Sequence, residues 1–181
     1  MSLRELDTER RPVTMIRSLG LPVFLLVNAS LSFAGLSQCQ TVAVAAGQDG
    51  AALITRADGK KTRVQKDRGQ VGISAAHTAS DGTVGWLAEY SVEDVSYPIA
   101  GTLIIWRSGR TIRRFRTEQS FYTWTFYAGG KQVAYHVGPL HGEAKSHCEL
   151  HDVESGRLIA VWDGDLESGS NRPAWTRGLS H

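Results

Sequence analysis

From Thr41 onward, short runs of β-branched and aromatic residues alternate with polar, glycine-centred breaks. The runs lie at 41–46, 51–56, 61–65, 71–75, 83–90, 102–107, 111–116, 121–127, 132–137, 147–153 and 158–162. They are rich in β-branched and aromatic residues, and nothing after Gln40 sustains the i, i+3, i+4, i+7 spacing of an amphipathic helix. The breaks are Asp49-Gly50, Asp58-Gly59, Asp81-Gly82, Ser108-Gly109, Gly129-Gly130 and Ser155-Gly156. Glycine supplies positive φ in a tight turn, and a preceding Asp or Ser satisfies turn amides. The pattern therefore predicts antiparallel strands joined by short turns.

These turns recur with a period. Asp81-Gly82 and Gly129-Gly130 stand 48 residues apart, and Ser108-Gly109-Arg110 and Ser155-Gly156-Arg157 stand 47 apart. Each glycine of the first pair precedes an apolar strand (84–88, then 133–137), a polar loop (91–98, then 138–146), a strand, the Ser-Gly-Arg turn and another strand. A third, incomplete copy precedes them, with Asp58-Gly59 lying 50 residues before Ser108-Gly109. Repeats of this length, each a small meander, are the sequence form of propeller blades.

Residues 122–137 (YTWTFYAGGKQVAYHV) resemble the aromatic, turn, Gly-Lys, apolar repeat of TolB-like and WD-like β-propellers, and 73–87 is a looser copy. The strand, Ser-Gly-Arg, strand halves are similar to the outer strands of such blades. The resemblance covers roughly 40–163 in two clear copies. It departs from the family where Ala79-Ser80-Asp81 and Tyr127-Ala128-Gly129 replace Ser-Pro-Asp before the glycine. It implies an all-β fold of antiparallel meander repeats, a partial or oligomer-completed β-propeller, with a β-sandwich as the alternative. A complete ring needs about four blades or more, so an open stack and a ring completed by a second copy both remain. In either, Arg113, Arg114 and Arg116 are expected as charged residues on a strand edge.

The first 34 residues differ in character. Residues 1–14 are charged and without period. Met15, Ile16 and Arg17 then lead into an apolar run at 19–27, and small residues follow up to Ala34. A basic residue, a short apolar stretch and a small-residue end form a secretory signal pattern. Ser32 and Ala34 fall at −3 and −1 of a cut before Gly35, and Met15 is an alternative start. An uncleaved segment would instead anchor the chain at a membrane, although the run is shorter than the roughly 20 apolar residues of a span. Acylation at Cys39 is disfavoured by Gln38, where a small residue is needed. Three segments are thus expected: an export segment at 1–34, a β-repeat domain at 40–163, and a flexible polar tail at 164–181 in which 173–176 has an option to dock. The expected location is periplasmic or secreted. There Cys39 and Cys148 meet oxidising conditions and form either a disulfide or two buried thiols.

Composition narrows the function classes. In 181 residues, 41% are apolar and the net charge is +2, which suits one globular domain and gives no broad basic field for nucleic acid. No phosphate loop, nucleophile elbow or HExxH stands in the sequence, and no catalytic residues or cofactor are assigned. The single cluster of interest is His136, His141, His147 and His151. A symmetric hairpin register pairing His136 with Glu149 would place Ala134, His136, His147, Glu149 and His151 on one face, a candidate transition-metal set. The competing reading is a solvated sheet face, and a one-residue slip would disperse the set. The expected function is therefore an exported, non-catalytic β-repeat module for a protein or small ligand. The alternatives are a metal-binding protein or metal-dependent enzyme using His136, His147 and His151, and a structural or assembly protein forming a homo-oligomer.

Overall fold

The computed structural model describes residues 41–141, 145–164, 166 and 171–179. The expected export segment at 1–34 and Cys39 lie outside them. The described residues are all-β, with eleven strands in three antiparallel sheets. Sheet one holds β1 (Thr41–Ala46), β2 (Ala52–Arg56) and β3 (Lys61–Val64). Sheet two holds β4 (Gln70–Thr78), β5 (Val84–Tyr90), β6 (Ile99–Arg107) and β7 (Arg110–Arg116). Sheet three holds β8 (Ser120–Tyr127), β9 (Gln132–Gly138), β10 (His147–Asp152) and β11 (Leu158–Trp162). Within each sheet, every strand pairs with its neighbour in sequence, so each sheet is a meander. The two clear copies read from the sequence are sheets two and three, and the incomplete copy is the three-stranded sheet one.

The turns form by one repeated device. Asp49 Oδ1 accepts from the Ala51 amide at 3.2 Å, Asp58 Oδ1 from Lys60 at 3.0 Å, and Asp81 Oδ1 from Thr83 at 2.9 Å. Ser155 Oγ accepts from the Arg157 amide at 3.3 Å. In each case the side chain satisfies the amide two residues on, while the next residue, a glycine, adopts positive φ.

Sheet two is covered on both faces. Val84, Trp86, Ala88, Ile104 and Trp106 pack with Ala52 and Ile54 of sheet one. The intervening Leu87, Leu103 and Ile105, with Phe115, pack with Phe121, Trp124, Val133, Tyr135, Val137 and Val153 of the third meander. Alternate residues thus face opposite neighbours, and β5 and β6 read as continuous apolar runs because neither side meets water. At Gly85 a Cβ would lie 2.6 Å from the Trp124 ring and 2.8 Å from Ile105 Cδ1. The missing side chain makes room for the indole of the adjacent sheet. A bulge in β4 completes this contact. Its register with β5 shifts between Ser74 and His77, Ala75 takes φ 45°, and the Ala75 carbonyl accepts from Trp124 Nε1 at 2.7 Å.

Charged residues tie the sheets at their rims. Arg114 Nε donates to Asp67 at 3.1 Å and Arg116 reaches the same carboxylate at 3.5 Å, linking β7 to the connection before β4. Arg113 turns the other way and donates to the Val153 and Glu154 carbonyls. Arg107 donates to Thr83 Oγ1 at 2.6 Å and to the Gly130 carbonyl at 3.3 Å. The arginines expected as plain edge charges therefore also fasten neighbouring segments.

The tail differs from the expectation of a flexible 164–181. Ala174–Leu179 forms a 3₁₀ segment in which Thr176 and Leu179 are fully buried. Leu179 packs with Ala134, Cys148 and Leu150 on the outer face of sheet three, with Trp162, Leu166 and Trp175 around them. Arg172 holds the segment in shape by donating to the Leu166 carbonyl at 2.9 Å and to Thr176 Oγ1 at 3.1 Å. An apolar sheet face would otherwise stand in water, and its burial against Leu179 offsets the entropy of ordering the tail.

Candidate functional site

The β9–β10 hairpin carries the histidine cluster, and its register differs by one residue from the symmetric one. Glu149 lies opposite Tyr135, His147 opposite Val137, His151 opposite Val133 and Cys148 opposite His136. Val133, Tyr135, Val137, His147, Glu149 and His151 therefore share one face, and Ala134, His136, Cys148 and Leu150 share the other. The proposed trio of His136, His147 and His151 is split. His136 stands edge-on to Tyr122, with ring centroids 5.2 Å apart. His141 is exposed in the following loop. Among the described residues, no group of three or more His, Cys, Asp or Glu side chains is arranged to hold a metal ion.

The register assembles a different group. Glu149 Oε1 lies 2.8 Å from His147 Nε2, and Oε2 lies 2.6 Å from His151 Nε2 and accepts from the Tyr135 hydroxyl at 2.8 Å. The Tyr135 oxygen is also 2.8 Å from His151 Nε2. His151 Nδ1 donates to the Gly156 carbonyl at 3.1 Å, which fixes a proton on that nitrogen because a carbonyl only accepts. When Nε2 is protonated as well, the ring is the cationic partner of Glu149. The imidazole stacks on Tyr135 at 5.1 Å, and Phe115 of β7 closes edge-on over it at 5.1 Å. Phe121 meets Tyr135 edge-on at 5.0 Å.

The electrostatics follow from this packing. Hydrogen bonding from His151, then from His147 and Tyr135, overcomes burial and holds the Glu149 carboxyl down at about 2. Burial, reinforced by the adjacent Glu149 charge, pushes the Tyr135 phenol far above its ordinary range. Burial also pushes the Cys148 thiol up to about 11, so it is a poor nucleophile at neutral pH. His77, edge-on to Trp124 at 4.8 Å, is lowered by burial.

Chemically, this is a closed circuit. Both oxygens of Glu149, the Tyr135 hydroxyl and both nitrogens of His151 are engaged inside the fold. A general base or a metal ligand needs a lone pair directed at its target, whereas the Glu149 oxygens face His147, His151 and Tyr135, and the His151 nitrogens face Glu149 and the Gly156 carbonyl. Phe115 comes from sheet two and Tyr135, Glu149 and His151 from sheet three, so the group lies at the seam between sheets. Among the described residues Cys148 carries a free, buried thiol beneath the docked tail. The symmetric register pairs Glu149 with His136; a pairing one residue away brings Tyr135 opposite Glu149 instead.

The two ends of the strands are unlike. Because successive strands of each meander run antiparallel, the tight connections 57–60, 79–83, 108–109, 128–131 and 153–157 alternate along the chain with those at 47–51, 65–69, 91–98, 117–119 and 139–146, of which 142–144 lie outside the described residues. The second set includes both long loops. In or beside it stand exposed apolar side chains: Val71 at the start of β4, Val92 and Tyr97 in 91–98, and Tyr122 near the start of β8. Tyr97 is 57% exposed, the most open of the large apolar residues described. Among the described residues no helix is long and apolar enough to cross a membrane. No protein-family model matches the chain, and no curated protein matches it.

Proposed function

We propose that the chain is an exported, non-catalytic β-repeat module of propeller-like construction that binds a protein or small ligand through the long-loop end of its strands. One observation carries this reading. The long loops and the exposed Val71, Val92, Tyr97 and Tyr122 gather at one end of a scaffold whose titratable cluster is closed on itself. Binding residues concentrate on loops held by a rigid framework, and solvent-facing aromatic side chains supply contact area at low entropic cost. The leader pattern at 1–34 supports export, and the succession of meanders supports the propeller resemblance.

Two measurements test the reading. N-terminal sequencing of the mature protein from fractionated cells is expected to begin at Gly35; a cytoplasmic product retaining Met1 or Met15 contradicts export. Val92→Ser with Tyr97→Ser is expected to abolish capture of the partner from the extracytoplasmic fraction while leaving the melting temperature nearly unchanged. Capture unaffected by the pair, or substrate turnover by the purified protein, contradicts the binding role.

A further inference from the structure

The last strand of each sheet is an outer edge, and the three edges are not alike. β3 carries Lys61 and Arg63, and β7 carries Arg110, Arg113, Arg114 and Arg116. Charge of this kind blocks strand-to-strand association, because pairing would bring like charges together or remove them from water. β11 reads Leu-Ile-Ala-Val-Trp and carries none. Leu158, Ile159 and Val161 are all exposed there, and among the described residues β10 is the only strand paired with β11. The register with β10 shifts at Ile159, and beyond that step the other edge of the strand presents backbone donors and acceptors that an extended segment pairs with.

The sequence around β11 complements itself. Turned antiparallel about Ala160, a second copy places Ile159 opposite Val161 and Leu158 opposite Trp162. One step further out on each side, Arg157 falls opposite Asp163, and both are exposed. The same operation on β7 about Arg113 sets arginine against arginine. Apolar pairs at the centre with opposite charges at both ends are the pattern that stabilises an antiparallel pair, and a twofold interface demands such self-complementarity.

We infer that β11 is a self-association edge: two copies of this chain pair β11 antiparallel about Ala160, joining two copies of sheet three into one continuous sheet. The inference stands apart from the binding role proposed for the long-loop end, since β11 is an outer strand and carries none of those residues. The contact is one short strand, so the affinity belongs in the weak class of small interfaces.

Sedimentation equilibrium of the full chain across a wide concentration range tests this. The expected result is a reversible monomer–dimer equilibrium. Val161→Lys, which gives β11 the kind of charge found on β3 and β7, is expected to weaken it by about tenfold or more. Arg157→Glu alone and Asp163→Arg alone should each weaken the dimer by opposing like charges, and the double variant should restore it. That rescue separates pairing between copies from a local effect of Arg157 on its neighbour Asp152. Circular dichroism checks that each variant is folded. A monomer at every concentration overturns the inference, as does a dimer indifferent to Val161→Lys or a double variant that fails to recover.

Discussion

At Glu149 the carboxylate does the work of a pin. It holds two imidazoles and a phenol at the seam of two sheets, and its strength is readable in its titration. The carboxyl ordinarily titrates near 4.5 and is held at about 2 in the fold. A group whose folded value is depressed stabilises the fold above its unfolded value and loses that contribution as pH falls. Glu149→Gln is therefore expected to cost about 1.5–3 kcal/mol at neutral pH, the range for hydrogen bonds to a charged group. The gap between wild type and variant should narrow as pH falls from 4.5 toward 2 in urea titrations. A gap that stays constant across that window contradicts the pin. Gly85 makes a second test. Alanine there is expected to cost about 1–3 kcal/mol, the range for overpacking a core, because its methyl would meet the Trp124 ring and Ile105. Denaturation of Gly85→Ala with no loss of stability would contradict the close approach.

Among the elements, the C-terminal segment has the clearest consequence. Leu179 is fully buried over Ala134, Cys148 and Leu150. Leu179→Ala is expected to destabilise the fold by about 2–5 kcal/mol, as large-to-small core changes do. In a Cys39→Ser background it should also speed labelling of Cys148 by a thiol reagent. Unchanged labelling would show that the tail does not cover that thiol. The strands themselves were legible in the sequence: all eleven runs contain strands, since Asp-Gly and Ser-Gly turns and β-branched runs mark strand ends locally. The differences arise where a neighbour decides. β4 continues to Thr78 through the Ala75 bulge because its carbonyl meets Trp124, and β6 begins at Ile99 because Ala100 packs against the core between sheets two and three. The tail looked patternless because one 3₁₀ turn places only a few side chains inward.

The hairpin register departs from the symmetric one for a related reason. Sheet three is apolar on both faces, one covered by sheet two and the other by the tail, so the apolar pattern of 132–137 and 147–152 does not say which side faces where. The pairing stands one residue from symmetric, and that single step exchanges His136 for Tyr135 beside Glu149. The candidate site was thus half legible: His147, Glu149 and His151 were grouped correctly, while Tyr135 and Phe115 required the fold.

For the whole molecule, the central claim is that three successive meanders stack, with the middle sheet buried between its neighbours. Such a middle sheet has no stable existence alone, because most of β5 and β6 would expose apolar surface on both sides. The long-loop end, the arginine ties and the docked tail all depend on that order of layers. The most direct measurement is a nuclear Overhauser spectrum of the labelled protein, read at the Trp124 indole. Cross-peaks to the Gly85 α-protons and the Ile105 methyl are expected, joining sheet three to sheet two across residues far apart in sequence. A Trp124 indole whose only contacts lie within its own sheet would contradict the stack.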